Sequence, residues 1–345
     1  MSPFYNRRTM LAGLATASLA PAAARLPSRP LRVILLGQSL IQQELCARPW
    51  PGMDMVRREL KGADVVFTDL ETAIDGPGAG PPTREGPVLH AAKPEVIDCL
   101  RFLGVTIVTT ANNHAWDLGP GGILAAARSL DRRGIPHAGT GRDLAEASAP
   151  AFQVTRNGVF GLVSAAAGAI RDGAAATPDR PGVNELRLGK DGLPDERDVA
   201  RVITSIRTAR QRGATVLMCL HNHHWEPVQS DTPGWQKAFA RACVDAGAAA
   251  FVGHGTPLMQ GYELYRGAPL FHGLGNFMFQ TRKPDGAYGP ETWRSLLVEA
   301  RFADGTFIGA TLKPLLLDSS RSGGFTRGVP RLSAERPMTL QPRAR

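Results

Sequence analysis

The chain has 345 residues, of which 43% are hydrophobic and 21% are charged, and its formal net charge is +9 at pH 7. This composition is that of an ordinary globular protein, and the length is sufficient for one large α/β domain or two smaller ones. The positive charge would suit a polyanionic partner. However, arginines cluster at the two ends of the chain, and no basic stripe with interleaved aromatic residues is present. We therefore expect no nucleic-acid partner.

Residues 1–25 have the pattern of an export signal. Arg7 and Arg8 precede a short apolar stretch, and small residues suited to signal-peptidase cleavage follow near Ala24. The segment resembles a twin-arginine signal, although Asn6 stands where Ser or Thr is more usual; the alternative is a basic N-terminus followed by a surface helix. No apolar stretch reaches the roughly 20 residues that span a membrane. We expect an exported protein, periplasmic or extracytoplasmic, with no membrane span in its mature chain.

The cysteines are widely spaced and form no Cys-x-x-Cys motif; they are Cys46, Cys99, Cys219 and Cys243. The twin-arginine route exports proteins that have already folded in the reducing cytoplasm, where disulfides are rare. We therefore predict buried free thiols at these positions, rather than disulfides or a zinc–thiolate site.

From Leu31 onwards, short β-like runs alternate with amphipathic helical patterns. Predicted strands cover residues 31–37, 64–71, 105–113, 135–141, 215–223 and 248–255, and predicted helices cover residues 94–104, 119–134, 199–213 and 233–247. The dipeptides that indicate turns between β-like arms are Asn157-Gly158, Arg266-Gly267 and Asp304-Gly305. Residues 168–198 are rich in Gly, Pro and Asp and are predicted to form a long surface loop.

This alternation, which gives way to hairpins in the last third of the chain, predicts an α/β fold in which two packed sheets are flanked by helices. The predicted domain spans residues 31–318, and residues 319–345 are expected to form a poorly ordered basic tail. Sites in such folds gather where strands end.

Five polar stretches each follow a predicted strand, and five of the eight histidines lie in the last three of them. The stretches are LLGQSL (35–40), FTDLETAI (67–74), TANNHAWD (110–117), CLHNHHWEP (219–227) and VGHGTPLMQG (252–261). Taken singly, a loop histidine, a capping Glu71 or turn-forming Asn112 and Asn113 would be ordinary. Their coincidence at strand ends predicts one shared polar site.

Imidazole nitrogens together with carboxylate and amide oxygens suit Mn, Zn or Fe(II). Glu71 or Asp69 could bridge two such ions, and a pair of ions activates a water and stabilises the oxygens of a phosphoryl or acyl centre. A histidine that is not a ligand would donate a proton to the leaving group. His114 is the candidate for this role, with Asp117 one helical turn later to orient its ring. The sequence thus predicts a site for one or two divalent ions.

The order of these motifs resembles the CapA capsule-synthesis family, which is associated with poly-γ-glutamate. The most specific pieces are ANNHAWDLG (111–119) and QGYELYRGAPLFHGLGNFMF (260–279), and the resemblance covers about residues 31–315. It implies the four-layer α/β/β/α sandwich of two mixed sheets found in calcineurin-like metallophosphoesterases. It also implies individual roles: a bridging or near-metal carboxylate at Glu71, an amide ligand at Asn113, imidazole ligands at His221 and His254, a proton donor at His114, and a loop-fixing Asn276.

Several positions depart from the family pattern. Gln38 stands where many members have an aspartate, and Pro257 stands where a second histidine is usual, so a carboxylate and an imidazole are lost. His223 is an addition that would share a face with His221 in an extended strand and could compensate. The supporting or substrate-binding set implied by these motifs is Gln38, Asp69, Asn112, Glu226 and Asn276.

The other histidines carry no motif partner. Three are predicted to be ordinary hydrogen-bonded residues: His90, His137 and His272. His224 would face away from His223 and is predicted to be a packing or surface residue. The tryptophans near the motifs would either line a substrate cleft or cover the site: Trp116, Trp225 and Trp235.

Two functional hypotheses follow. The first is an exported metal-dependent hydrolase that acts on a phosphoester or on an amide-linked envelope polymer, in poly-γ-glutamate capsule synthesis or handling. The second is a non-catalytic accessory protein that binds or exports an anionic polymer and has a degenerate metal site. The retained ligand motifs favour the first hypothesis, whereas the changes at Gln38 and Pro257 favour the second. A sugar- or nucleotide-binding module lacks support, because no phosphate-binding loop is present.

Overall fold

The computed structural model describes residues 29–320 and 327–342, so the predicted signal segment lies outside the described residues. Within these two ranges the α-helices are α1 (Met53–Leu60), α2 (Glu95–Leu103), α3 (Gly119–Asp131), α4 (Leu144–Ser148), α5 (Glu196–Gln211) and α6 (Gly234–Asp245). The strands are β1 (Leu31–Leu40), β2 (Val65–Leu70), β3 (Ala73–Ile74), β4 (Ala91–Ala92), β5 (Ile107–Thr109), β6 (His137–Ala138), β7 (Thr140–Gly141), β8 (Ala151–Thr155), β9 (Gly158–Ala167), β10 (Gly182–Val183), β11 (Thr215–Asn222), β12 (Ala250–His254), β13 (Tyr262–Tyr265), β14 (Ala268–Phe271), β15 (Asn276–Phe279), β16 (Arg294–Ala303), β17 (Thr306–Leu317), β18 (Pro330–Leu332) and β19 (Met338–Leu340).

Two large mixed sheets contain most of these strands. The first has the order β18-β17-β16-β1-β2-β5-β6, with β15 also paired to β1 and β19 also paired to β17. The second has the order β13-β14-β12-β11-β9-β8. In the first sheet β1 runs parallel to β2 and antiparallel to β16; in the second, β11 runs parallel to β12, whereas β8 and β9 are antiparallel.

Alternating side chains explain how these layers pack, because successive residues of a strand point to opposite faces. Val33 and Leu35 of β1 belong to a buried cluster that also contains Leu217 of the second sheet. The intervening Ile34 packs in a separate cluster with residues of α1, α2 and α3. Met218, on the other face of the second sheet, packs with residues of α5 and α6. The predicted four-layer α/β/β/α sandwich is confirmed.

The predicted hairpins are also present. Arg266-Gly267 joins β13 to β14, and Asp304-Gly305 joins β16 to β17, as predicted. The hairpin of β8 and β9 has its turn at Arg156-Asn157, one residue earlier than predicted, because Gly158 already begins β9. Arg266 and Asp304 both have φ of 49°, and each is followed by a glycine with positive φ. Two consecutive residues with positive φ are typical of type I′ turns, whose twist matches that of the paired strands.

The cysteine prediction is wrong for one pair. Cys46 and Cys99 form a disulfide that links the loop after β1 to α2, whereas Cys219 and Cys243 are buried free thiols, as predicted. The two bonded cysteines are 53 residues apart. No local pattern indicates their proximity, which depends on how the loop after β1 folds back onto α2.

The prediction of a poorly ordered tail from residue 319 is also wrong for residues 327–342. This segment supplies β18 and β19 to the first sheet, both paired antiparallel to β17. The indole Nε1 of Trp50 donates a 3.0 Å hydrogen bond to the carbonyl of Pro330, and Val329 is buried. Among the described residues, no helix combines the length and apolar character needed to cross a membrane.

Candidate functional site

The candidate site is a cavity of about 540 Å³ beyond the carboxyl ends of strands from both sheets. Polar groups predicted from the sequence line it together: Gln38, Glu71, Asn113, His114 and His223. Gln38 lies on β1, Glu71 directly follows β2, and His223 directly follows β11. The structure therefore brings residues from all five polar stretches to the wall of one cavity.

His221 lies at the base of this site and is fully buried. Its Nδ1 is 2.7 Å from Asp69 Oδ2, and its Nε2 is 3.0 Å from Asn113 Oδ1 and 3.8 Å from Glu71 Oε1. A carboxylate can only accept hydrogen bonds, so ionised Asp69 places the ring proton on Nδ1. The lone pair of Nε2 then faces the oxygens of Asn113 and Glu71. His221 Nε2, Asn113 Oδ1 and Glu71 Oε1 are then three acceptors with no donor between them, an arrangement that fits a bound cation.

His223 adds a further acceptor to this group. Ligand atoms of Glu71, His221 and His223 all lie within 4.8 Å of one another. The ring of His223 is stacked on that of His221 with a centroid distance of 5.0 Å, as expected for two side chains on one face. Glu71 Oε2 and His223 Nε2 are buried and have no hydrogen-bond partner among the described residues. Buried polar atoms are almost always paired, so these orphan acceptors also fit a bound cation.

His254 lies on the strand beside His221. The two residues face each other in the parallel pairing of β11 and β12, and both ring nitrogens of His254 are buried without a partner among the described residues. His254 does not belong to the group of mutually close ligand atoms formed by Glu71, His221 and His223. The structure therefore brings Glu71, Asn113 and His221 together as predicted and leaves His254 at the edge of the cluster.

The protonation states of these groups favour metal binding. Burial lowers the pKa of His221 to about 3 and that of His254 to about 4, although Asp69 opposes the shift at His254. Burial raises the pKa of Asp69 to about 7, against the effects of His254 and Asn112. Burial also raises the pKa of Glu71 well above its usual value, and repulsion from Asp69 and Asp117 adds to it. The imidazoles are thus neutral and able to ligate, while the carboxylates need a positive charge.

His114 is held in the orientation expected of a proton donor. Its Nδ1 is 2.9 Å from Asp117 Oδ2, which also accepts a 2.8 Å hydrogen bond from the backbone N–H of His90. Burial raises the pKa of Asp117 to about 6, against the effects of the His90 N–H and of Arg84. With Nδ1 bonded to Asp117, Nε2 is the ring nitrogen left for chemistry in the cavity.

Asn112 contacts both Asp69, which is hydrogen-bonded to His221, and the turn that carries His114. Its amide Nδ2 donates to Asp69 Oδ1 and to the carbonyl of Leu70, both at 2.9 Å. Its Oδ1 accepts a 3.1 Å hydrogen bond from the backbone N–H of His114. A single side chain therefore fixes both the carboxylate beside His221 and the start of the turn that carries His114.

Gln38 accepts a structural hydrogen bond at the cavity wall. Its Oε1 accepts a 2.7 Å hydrogen bond from the N–H of Gly255, and the residue is only 2% exposed. Gly255 has φ of 104°, and a Cβ there would lie 2.2 Å from the carbonyl oxygen of Asn222, so only glycine allows this approach. The amide of Asn276 donates to the carbonyls of Pro257 and Thr292, which fixes the loop that follows β12.

The site also contains two residues that the sequence did not predict. Arg84 and His90 both line the cavity. Arg84 Nε lies 2.6 Å from Asp117 Oδ1, and the ring of His90 has its centroid 4.1 Å from that of His114. Both residues lie between β3 and β4, where the sequence carries no periodic pattern. No signal in the sequence indicated that this segment packs against His114.

The remaining predicted residues lie elsewhere. Glu226 is exposed and lines a separate depression, so the structure does not bring it into the cavity. His224 is exposed, as expected for a surface residue. Of the three tryptophans near the motifs, Trp225 lines the cavity. His137 and His272 lie near Asp131 and Glu263, respectively, and are not lining residues of this cavity.

The fold and the site together define a class of protein: a two-sheet α/β sandwich with a histidine, carboxylate and amide cluster at the ends of its strands. The sequence matches the family described as bacterial capsule synthesis protein PGA_cap over residues 26–281. Because this match covers most of the chain, the protein belongs to that family, and the resemblance to capsule-synthesis proteins is confirmed.

Individual relatives agree with this assignment. The chain is 29% identical over 283 residues to a probable polyglutamine synthesis accessory protein of Mycobacterium tuberculosis, covering 79% of this chain and 71% of the relative. It is 29% identical over 356 residues to an uncharacterized protein of Sinorhizobium fredii, covering 83% of this chain and 77% of the relative. It is also 29% identical over 201 residues to the capsule biosynthesis protein CapA of Bacillus anthracis, covering 57% of this chain and 46% of that protein.

Proposed function

We propose that this capsule-synthesis family member is an exported, metal-dependent hydrolase that acts on a phosphoester or on an amide-linked envelope polymer such as poly-γ-glutamate. The observation that carries the proposal is the convergence of Glu71, His221 and His223, whose ligand atoms lie within 4.8 Å of one another. Asn113 Oδ1 adds an amide oxygen 3.0 Å from His221 Nε2. Nitrogen and oxygen donors in this combination suit Mn, Zn or Fe(II).

In this proposal the ligands are Glu71, Asn113, His221 and His223, with His254 beside them. A bound divalent ion would supply Lewis acidity and an activated water. Asp69 orients His221 through Nδ1, as carboxylates commonly do for ligating histidines. His114 would donate the leaving-group proton from Nε2 in its imidazolium form, while its Nδ1–H stays hydrogen-bonded to Asp117. Burial, together with the charge of Arg84, lowers the pKa of His114, so the imidazolium gives up this proton readily. We favour one ion over two, because Gln38 and Pro257 remove a carboxylate and an imidazole from the family pattern.

Export is supported by the Cys46–Cys99 disulfide, which would form after the folded chain reaches an oxidising compartment. Disulfides persist in oxidising compartments and are rare in the cytosol. The segment 1–25, with its paired Arg7 and Arg8, would direct the chain outside the cytoplasm. A periplasmic or other extracytoplasmic location would place the cavity where envelope polymers are handled.

Metal analysis tests the proposal directly. Protein purified without chelator is expected to contain close to one equivalent of a transition metal, and His221→Ala is expected to lose it. His224→Ala is the matched control, because His224 is exposed and lies three residues away in the same motif. Wild-type protein that stays metal-free in the presence of excess Mn, Zn and Fe(II) would contradict the hydrolase proposal.

Activity assays complete the test. The metal-loaded protein is offered a chromogenic phosphodiester and, separately, poly-γ-glutamate, and His114→Ala serves as the inactive control. Hydrolysis of one substrate class and not the other would identify the bond that the enzyme cleaves. A metal-loaded wild type that cleaves neither substrate would favour the second candidate function.

That second candidate is a non-catalytic accessory protein that binds or exports an anionic polymer. The specific observation in its favour is Gln38, whose Oε1 is already used by the Gly255 N–H and which brings no negative charge to the cavity. The net charge of +9 would attract a polycarboxylate. Polymer binding that weakens steeply with added salt, in protein that lacks metal, would support this function over the first.

A further inference from the structure

Arg84 occupies an unusual position in the cavity wall. Its side chain is 16% exposed and forms an ion pair with Asp117, with 2.6 Å between Nε and Oδ1. Its Nη2 donates a 2.7 Å hydrogen bond to the carbonyl of Asn113. The guanidinium is thereby fixed in orientation between a residue proposed as a metal ligand and the carboxylate that orients His114.

The third nitrogen of this group is available to a ligand. Nη1 of Arg84 has no hydrogen-bond or ion-pair partner within residues 29–320 and 327–342, and the residue lines the same cavity as Glu71 and His114. The Asp117 carboxylate also contacts the ring of His114 and accepts from the N–H of His90, so its position beside Arg84 is fixed. The Arg84 guanidinium therefore retains N–H donors at the cavity surface in a fixed orientation.

Other positively charged side chains lie near this part of the cavity. Lys283 lines it from the loop after β15. The charges of Arg84 and Arg282 both act on the pKa of His90, and Arg171 acts on those of Asp117 and Arg84. A cavity with positive charge on one wall and acceptor ligands on another suits a substrate that carries an anionic group next to its scissile bond.

We propose that Arg84 is a specificity-determining residue that binds an anionic oxygen of the substrate, from a phosphoryl or carboxylate group, and holds it beside the Glu71, His221 and His223 cluster. The planar guanidinium of Arg84 carries paired N–H donors that match the geometry of both phosphoryl and carboxylate oxygens. Through Nε the same side chain holds Asp117 in place for His114. The assignment rests on the proposed function for its role in turnover, but anion binding is measurable without turnover.

The test is calorimetric titration of inorganic phosphate and, separately, of glutarate into the full protein, with and without bound Mn²⁺. We expect wild type to bind one of the two anions and Arg84→Gln to bind it about 10- to 100-fold more weakly, which corresponds to the loss of a charge-assisted hydrogen bond. Arg142→Gln is the matched control, because it removes the same charge from an exposed arginine whose ion-pair partner is Glu146. Preference for phosphate or for glutarate distinguishes the two sources of the anionic group.

Arg84→Lys separates anion binding from a purely structural role. Lysine keeps the positive charge beside Asp117 but lacks the bidentate fork, so the folded state is retained and the affinity is expected to fall several-fold. Undiminished anion affinity in both Arg84 variants, or no saturable binding by wild type, would overturn the assignment.

In a turnover assay, both Arg84 variants are expected to show a raised KM. A fall in kcat alone, with unchanged anion affinity, would show that Arg84 only positions Asp117. Loss of metal binding with intact, Arg84-dependent anion binding would refute the proposed function and not this inference.

Discussion

His221 and Asp69 form a fully buried pair that connects the two sheets, with 2.7 Å between Nδ1 and Oδ2. Asp69 lies on β2 of the first sheet and His221 on β11 of the second. The contact closes the base of the cavity and turns Nε2 of His221 towards Asn113 and Glu71. The orientation of the central imidazole is therefore decided by a carboxylate from the opposite layer.

The Asp69→Asn variant tests this relationship. The substituted amide would keep the size of the side chain and an acceptor for the ring N–H, but it would remove the negative charge that makes Nε2 of His221 more basic. We expect the affinity for divalent metal to fall about 10- to 100-fold with the fold retained. Metal titration with a competing chelator measures the change. An unchanged dissociation constant would show that Asp69 has no part in tuning His221.

Replacing His114 with Ala is expected to reduce kcat on any substrate that wild type cleaves by about 10²- to 10⁴-fold, the usual contribution of a general acid. Metal content should stay at the wild-type level, because His114 is assigned as a proton donor and not as a ligand. Steady-state kinetics and elemental analysis of the same preparation make the comparison. Parallel loss of metal and activity would instead make His114 a ligand.

Replacing Gln38 with Glu would restore a carboxylate at the position where the family pattern has an aspartate. A glutamate of the same length can still accept from the Gly255 N–H. We expect at least tenfold tighter metal binding, about 1.4 kcal/mol, which is a fraction of the roughly 4 kcal/mol that Coulomb's law gives at 4 Å with a dielectric constant of 20. Without metal, the buried charge should lower the thermal midpoint, and added metal should restore it. Gln229→Glu, which adds a charge elsewhere on the cavity wall, is the control.

The Cys46–Cys99 disulfide predicts two free thiols in the unfolded, unreduced protein and four after reduction. Replacing both cysteines with Ser should lower the free energy of unfolding by about 2–4 kcal/mol, because the unfolded chain loses a constraint on a loop of this length. Thiol titration and urea unfolding measure the two effects. Reductant should destabilise wild type and leave the double variant unchanged.

Glu299 predicts a specific acid dependence of stability. Burial alone would raise its pKa, but the hydrogen bonds and charges of Arg32, Arg301 and Lys313 outweigh burial and lower the pKa to about 2. A folded-state pKa below the unfolded value stabilises the protein above about pH 4.5, and this contribution disappears as the pH falls towards 2. With allowance for solvent screening of these charges, Glu299→Gln should cost on the order of 1–2 kcal/mol at pH 7 and almost nothing near pH 2.

Urea unfolding of wild type and Glu299→Gln at several pH values between 7 and 2 gives the required difference. Glu226→Gln serves as the control, since Glu226 is an exposed loop residue. A difference between wild type and Glu299→Gln that stays constant with pH would contradict the assignment.

Local pattern was sufficient for most of the architecture. The predicted helix at residues 94–104 corresponds to α2 (Glu95–Leu103), and the predicted hairpins are present at the expected turns or one residue away. The missed helix α1 has its buried residues Met53, Val56 and Leu60 at helical spacing, so a signal for it was present in the sequence. By contrast, β18 and β19 are three residues each, too short to carry a recognisable period.

The residues of the site likewise include some that were predictable from the sequence and some that were not. Glu71, Asn113 and His221 were predictable because each lies at or just beyond the end of a strand, where parallel neighbours in a sheet bring polar residues to one edge. Periodicity determined the strands, and the strand ends determined these residues. Only the tertiary structure decided that Arg84 and His90 reach His114 and that Cys46 meets Cys99. Those contacts depend on the path of aperiodic loops, which is set by many weak long-range interactions that leave no repeating signal in the sequence.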